Sequence, residues 1–190
     1  MRVLLAAVLF TALAACSTPA PPPVTTPPDT SAPPTSRTPP PVTRPVSLQA
    51  YLANPCSLVQ DADLQVLGFP ADSGSAVSTR KSCHWQSSDP DLGIVRISLD
   101  IDRSPLVAFY ADDSESHEVH EEYYLQGVPA VTVAEHADGR SGCSILLATS
   151  DGAGVTLTKY PDKAATPVPA ATLCDQLKTV AGSVLTRLST

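Results

Sequence analysis

Long apolar runs, aromatic side chains and positive charge are all scarce in this chain. Of its 190 residues only 5% are aromatic, with one tryptophan and three phenylalanines. Its longest predominantly apolar stretch, Val3 to Ala15, has 13 residues, whereas a membrane-crossing helix needs about 20. Twelve Lys and Arg stand against 19 Asp and Glu, a formal charge of −7, which disfavours nucleic acid and anionic headgroups as partners. None of the five cysteines forms a C-x-x-C pair, so the sequence offers neither a zinc-ribbon nor a dithiol redox motif. No internal repeat, EF-hand loop, H-E-x-x-H or G-x-S-x-G is present. The sequence therefore assigns no catalytic residue, no metal ligand and no cofactor.

What the chain does have begins at its first residue. Met1-Arg2 is a short positive start, and a 13-residue apolar run suits the h-region of a signal peptide. The run ends Leu13-Ala14-Ala15-Cys16. This resembles the lipobox of bacterial lipoproteins, an aliphatic residue and two small ones before a cysteine. The resemblance implies that the Cys16 sulfur receives a diacylglyceryl group, that cleavage falls just before it, and that the new amine is acylated, as by palmitate. Small side chains before the cysteine let a peptidase close on the backbone. Two or three acyl chains, at about 0.8 kcal/mol per buried methylene, hold a protein at a membrane where one chain does not. Residues 1–15 are thus expected to be a lipoprotein signal peptide, with Cys16 the lipid anchor at the extracytoplasmic face of the cell membrane.

Residues 17–46 hold 12 of the 20 prolines, 10 Ser or Thr and no aromatic residue. Such a composition cannot bury enough apolar surface to offset the entropy of ordering. Residues 16–46 are expected to be the lipidated cysteine and a disordered stalk of polyproline II character. At about 3.1 Å per residue it reaches at most roughly 90 Å. The prolines follow the cysteine because an anchor needs a spacer.

Residues 47–190 are expected to be a single domain. It carries 9 basic and 18 acidic residues, and the cysteines Cys56, Cys83, Cys143 and Cys174. An even number in an exported domain implies two disulfides, for which three connectivities exist. "NPCSLVQDADLQVLG" reads as a turn and a short helix near Asp61 to Leu67, stopped by Gly68. "SCHWQ" reads as a strand. "GIVRISLDI" alternates, with Val95, Ile97, Leu99 and Ile101 on a core face and Arg96, Ser98 and Asp100 on a wet one. "SPLVAFYADD" starts a helix, with Ser104 as N-cap and Pro105 at the first position. "HEEYYLQGVPAVTVAE" reads as two strands broken near Gly127 and Pro129. "CSILLAT" and "GVTLTKY" flank the hairpin signal Ser150-Asp151-Gly152. The last segment is the strongest helix, with an apolar stripe of Leu173, Leu177, Val180, Val184 and Leu188. The fold class is α+β: a mainly antiparallel sheet of five or six strands, covered by a long C-terminal helix and a shorter N-terminal one. Cys143 is in phase with Ile145 and Leu147 and faces the side where the last helix packs. Cys56 precedes the first helix and Cys83 opens the next strand. The expected bridges are Cys56–Cys83 and Cys143–Cys174.

"NPCSLV", "CHW", "GVPAV", a cysteine in a late strand and another at the start of the final helix occur in that order. Together they resemble the actinobacterial lipoproteins of the DUF3558 family, over about residues 50 to 188. The resemblance implies an envelope-anchored, disulfide-bonded α+β domain of unknown function. It carries no catalytic residue over.

Three stretches could carry chemistry. In "DDSESHEVHEEYY" six carboxylates (Asp112, Asp113, Glu115, Glu118, Glu121, Glu122) accompany His117 and His120. These are metal-ligand types, but strand alternation sends His120 and Glu122 one way and Glu121 and Tyr123 the other. A solvated acidic loop is the expectation. His84 beside Trp85 reads as structural. His136, Asp138 and Ser141 can be drawn as a triad, but nothing in their spacing demands it. The leading functional expectation is a non-enzymatic envelope lipoprotein, presenting a surface to an envelope protein or a small-molecule ligand. The alternatives are an envelope hydrolase with an unrecognised site and a metal-binding lipoprotein.

Overall fold

The strict alternation of "GIVRISLDI" sets the centre of the structure. In the computed structural model Ile94–Asp100 is a strand, β3, with Val95, Ile97 and Leu99 buried and Arg96 exposed. The strand stops at Asp100, so Ile101, expected to continue the apolar stripe, is exposed. Six more strands complete one sheet: β1 (Gly74–Thr79), β2 (Ser82–Ser87), β4 (Val119–Leu125), β5 (Val128–Ala134), β6 (Cys143–Ser150) and β7 (Ala153–Tyr160). Their order is β1-β2-β3-β7-β6-β5-β4, and every pairing is antiparallel. The α+β class is as expected, and the sheet is wider than the five or six strands expected by one edge strand, β1. "GSAVST" gave little signal because its one large apolar residue, Val77, is exposed.

The structure describes residues 38–70, 74–79, 81–87, 89, 92–111, 116–161 and 168–190, all within the unit Ser36–Thr190. The signal peptide expected at 1–15, the anchor expected at Cys16, the linker through residue 37, and Asp112, Asp113 and Glu115 lie outside the described residues.

Two tight hairpins fix the registers. Gln126 and Gly127 both have positive φ, 51° and 83°, between the paired residues Leu125 and Val128. Two successive left-handed residues make the turn whose twist matches antiparallel strands. Pro129, expected near a break, lies inside β5. Pairing with β6 begins only at Ala130, so no β6 partner needs its missing N–H. Asp151 and Gly152 close the other hairpin, as expected.

One face of the sheet carries the main core. Helix α3 (Ala170–Leu188) lays Leu173, Leu177, Val180, Val184 and Leu188 on it, all buried. Beneath them are Val95, Ile97, Ile145, Leu147 and Leu157. A 3-10 turn (Pro55–Leu58) and the short helix α1 (Asp61–Val66) join the same cluster through Leu58, Leu64 and Leu67. Gly68, at φ 88°, ends α1 as expected. Both expected disulfides are present, Cys56–Cys83 and Cys143–Cys174, with Cα separations of 5.1 and 5.5 Å. They span 27 and 31 positions of chain. The chain-entropy account gives each about 3–4 kcal/mol. Asp63 adds a polar clasp: its Oδ2 accepts the Gln60 N–H at 2.8 Å and pairs with Arg187 Nη2 at 2.7 Å. Arg187 also donates to Leu58 O at 2.7 Å. Removing one partner of a pair this buried costs about 3–5 kcal/mol.

The segment Val42–Val46, placed in the linker by composition, lies against the domain. Val46 N–H donates to Thr149 O at 2.9 Å, and Thr43 Oγ1 to Gly127 O at 3.3 Å. Val42 and Val46 pack on the two apolar clusters. Composition averages over a segment and so hides two valines at its end that find an apolar surface.

Lys159 is the least expected core residue. It lies on the α3 side of β7, opposite Cys143, and is 7% exposed. Its ammonium donates to Leu67 O at 2.5 Å and Gln176 Oε1 at 3.2 Å. The first of these is a carbonyl at the C-terminal end of α1, where a cation is favoured. Burial nevertheless pushes its pKa below the ordinary 10.5. Between the lowered folded value and 10.5 the unfolded chain holds a proton that the folded chain has released, so stability rises with pH there. Urea denaturation from about pH 8 to 10.5 should show the wild type gaining stability relative to Lys159→Met as pH rises. A wild type that loses stability relative to Lys159→Met as pH rises would contradict this placement of the ammonium.

Candidate groove on the half-covered sheet face

The second face of the sheet is covered by one short helix. α2 (Pro105–Ala111) turns Leu106, Phe109 and Tyr110 onto Val131, Val133 and Ala148 of β5 and β6. Gly154 fixes how closely it docks. A Cβ at that position would stand 2.2 Å from Leu147 O and 2.3 Å from Pro105 Cδ, so only glycine admits the first turn of α2 against β7.

Seven residues make a helix roughly 10 Å long, while seven strands span roughly 29 Å. α2 therefore roofs one side only. Beside it runs an open groove of about 660 Å³, within the range typical of small-ligand sites. The wall along α2 is apolar, formed by Pro105, Ala108 and Phe109, with Leu146 and Val133 at its foot. The floor is hydroxylated. Ser144 Oγ and Thr158 Oγ1 are 2.9 Å apart, and Thr156 Oγ1 donates to Asp100 Oδ2 at 3.2 Å. Tyr160, 44% exposed, and Arg103 also line the groove. A smaller cavity of about 190 Å³ continues it past His117 and Ser144 toward Ser141.

Two polar atoms of this lining are buried and lack a hydrogen-bond partner among the described residues: Ser104 Oγ and His117 Nδ1. Ser104 does stand before α2, and its carbonyl accepts the Val107 and Ala108 N–H groups at 3.0 and 3.4 Å. Its hydroxyl does not cap the helix as expected; it is buried, in a groove-lining residue only 2% exposed. An unmade hydrogen bond on a buried hydroxyl costs about 1–3 kcal/mol, which a ligand offering a partner would recover.

The acidic stretch divides as alternation requires. His120 Nε2 pairs with Glu122 Oε1 at 3.1 Å on the α2 side. Glu121 reaches Lys178 of α3 at 2.5 Å on the other. Glu118 turns to the Ala137 N–H at 2.7 Å and to His136 at 3.6 Å. The Ala137 bond leads the effects that hold its carboxyl below the ordinary range. The stretch is more than a solvated loop, because both histidines pack on Phe109, with ring centroids 5.8 Å away for His117 and 5.3 Å for His120. Among the described residues no group of three or more His, Cys, Asp or Glu could hold a metal ion.

The other sequence candidates are separated. Ser141 Oγ accepts the His136 backbone N–H at 3.2 Å, while the His136 ring faces Arg140 and Glu118. That is a loop brace and brings no nucleophile to the imidazole. Trp85 is in the main core, and His84 lies on the opposite face beside Arg96. Cys56, Cys83, Cys143 and Cys174 are all consumed in disulfides. The groove was not read from the sequence as a site, although two signals were there: the wet positions of β3 ending at Asp100, and alternate hydroxyls at Thr156 and Thr158.

No curated protein and no solved structure matches this chain. The family model described as "Protein of unknown function (DUF3558)" matches residues 11–187, and the chain belongs to that family.

Proposed function

We propose that this chain is a lipid-anchored protein of the cell envelope whose domain binds a small ligand in the groove beside α2. In this reading residues 1–15 are removed, Cys16 is acylated, and the proline-rich segment tethers the domain at the extracytoplasmic face of the membrane. Support for the anchor comes from the Leu13-Ala14-Ala15-Cys16 boundary. Among the described residues no helix is long and apolar enough to cross a membrane. The observation that carries the binding role is the groove-lining residue Ser104, 2% exposed, whose buried hydroxyl has no partner among the described residues.

A binder is favoured over a hydrolase by the state of the groove. Activated nucleophiles stand in hydrogen-bond contact with a base that a third group orients. Among the described residues the Ser144 and Thr158 hydroxyls bond each other and the Thr156 hydroxyl bonds Asp100, while Ser104 Oγ and His117 Nδ1 have no partner. The acidic stretch, split between two faces, gives no support to a metal-binding role.

Cys16→Ala should leave the chain unprocessed or release it from membranes. A variant still cut before residue 16 and still found in the detergent phase would refute the anchor. For the groove, native mass spectrometry of the full chain taken from its own envelope should show a non-covalent mass beyond the covalent lipids. Thr158→Trp, which fills the floor, should remove that mass in a chain that still unfolds cooperatively, at a lower midpoint because Ser144 loses its partner. A ligand retained by the filled variant would place binding elsewhere.

A further inference from the structure

We infer that the ligand of this groove is a neutral saccharide. The inference rests on the reading of the groove as a ligand site and concerns which chemistry fits there. A pyranose ring is amphipathic in one plane: its C–H bonds form an apolar face and its hydroxyls a polar rim. The groove has that same division. Pro105, Ala108 and Phe109 make one apolar wall. The same groove is lined by Ser144, Thr156 and Thr158 and by Asp100, with hydrogen bonds among them.

The polar groups suit hydroxyl ligands in kind as well as place. A Ser or Thr hydroxyl donates one hydrogen bond and accepts two, and so matches a sugar hydroxyl in either direction. Ser144 and Thr158 bond each other, as do Thr156 and Asp100, which preorganises the floor and leaves lone pairs spare. Asp100 then accepts further hydroxyl protons, and Arg103, whose Nη2 donates to Val107 O at 3.3 Å, offers its remaining N–H groups. The buried Ser104 Oγ and His117 Nδ1 provide two positions still to be filled. At the open end Tyr160, 44% exposed, presents an aromatic ring, the surface on which a C–H face rests.

Charge selects against the other classes. Among the described residues one carboxylate and one guanidinium line the groove, so neither sign dominates among them. A phosphate or carboxylate ligand would face a domain with 18 acidic and 9 basic residues. An acyl chain would leave the hydroxyl floor without partners, a cost repeated at each buried group. A volume of about 660 Å³ is within the range of small-ligand sites.

The test is a printed array of neutral and acidic oligosaccharides, probed with the full chain in a detergent without a sugar headgroup. Calorimetry with the strongest binder follows. A neutral oligosaccharide should bind, and Ser104→Ala and Thr158→Val should each weaken it at least fivefold. Ser104→Ala, whose hydroxyl has no partner among the described residues to lose, should do so without lowering the melting temperature and so separates lost recognition from lost folding; Thr158→Val lowers the midpoint because Ser144 loses its partner, while unfolding stays cooperative. Absence of binding to any neutral member, or binding indifferent to both substitutions, overturns the inference. If the groove's co-purifying ligand yields no monosaccharide on acid hydrolysis, the saccharide class fails while the groove remains a ligand site. If no mass co-purifies and nothing on the array binds, both fail.

Discussion

Helix α2 is too short for the sheet it covers, and much of the molecule's character follows from that mismatch. An antiparallel sheet can leave one face to water, and here the division runs within a single face. α3 and the N-terminal turns bury the side that carries Val95, Ile97, Ile145, Leu147 and Leu157. On the other side Leu106, Phe109 and Tyr110 shelter β5 and β6. The neighbouring positions on β7 and β3 carry hydroxyl and charged side chains, which tolerate water. The step between the covered and open halves is the groove. Gly154 holds the step in place by letting the first turn of α2 touch the sheet backbone.

Such an open face demands a rigid support, and the main core supplies it. Cys143–Cys174 joins the start of β6 to the N-terminal part of α3. Asp63 and Arg187 join α3's last turn to α1. Ser144, next to one disulfide cysteine, is part of the groove floor. Core and groove thus share strands, with successive residues of β6 and β7 serving one and then the other. Lys159 and Thr158 show this directly: the lysine is buried under α3 while the threonine before it faces the groove.

Most of the scaffold was legible because its signals are local. The β3 alternation, the α3 stripe, the Asp151-Gly152 turn and the phase of Cys143 each depend on a few residues, and each appears where expected. β1 was missed because "GSAVST" lacks an apolar face. Val42 and Val46 were assigned to the linker because proline content dominated their neighbourhood. The groove was not legible as a site because its residues come from α2, β3, β6 and β7, and nothing in one segment announces the others. Ser104 illustrates the limit: the helix-start position is readable, but whether its buried hydroxyl finds a partner is decided by tertiary packing. His117 and His120 were grouped with carboxylates by sequence, whereas Phe109, from a different element, gathers them in space.

The central claim is that the uncovered half of the α2 face is where this domain meets its ligand. The most direct measurement is backbone-amide shift mapping of the isotopically labelled full chain, titrated with the low-molecular-weight fraction of the envelope. The account predicts that the shifts concentrate at Asp100, Ser104, Ser144, Thr156 and Thr158. Shifts confined to the outer surface of α3 or to the β1 edge, with those five amides unmoved, would contradict it.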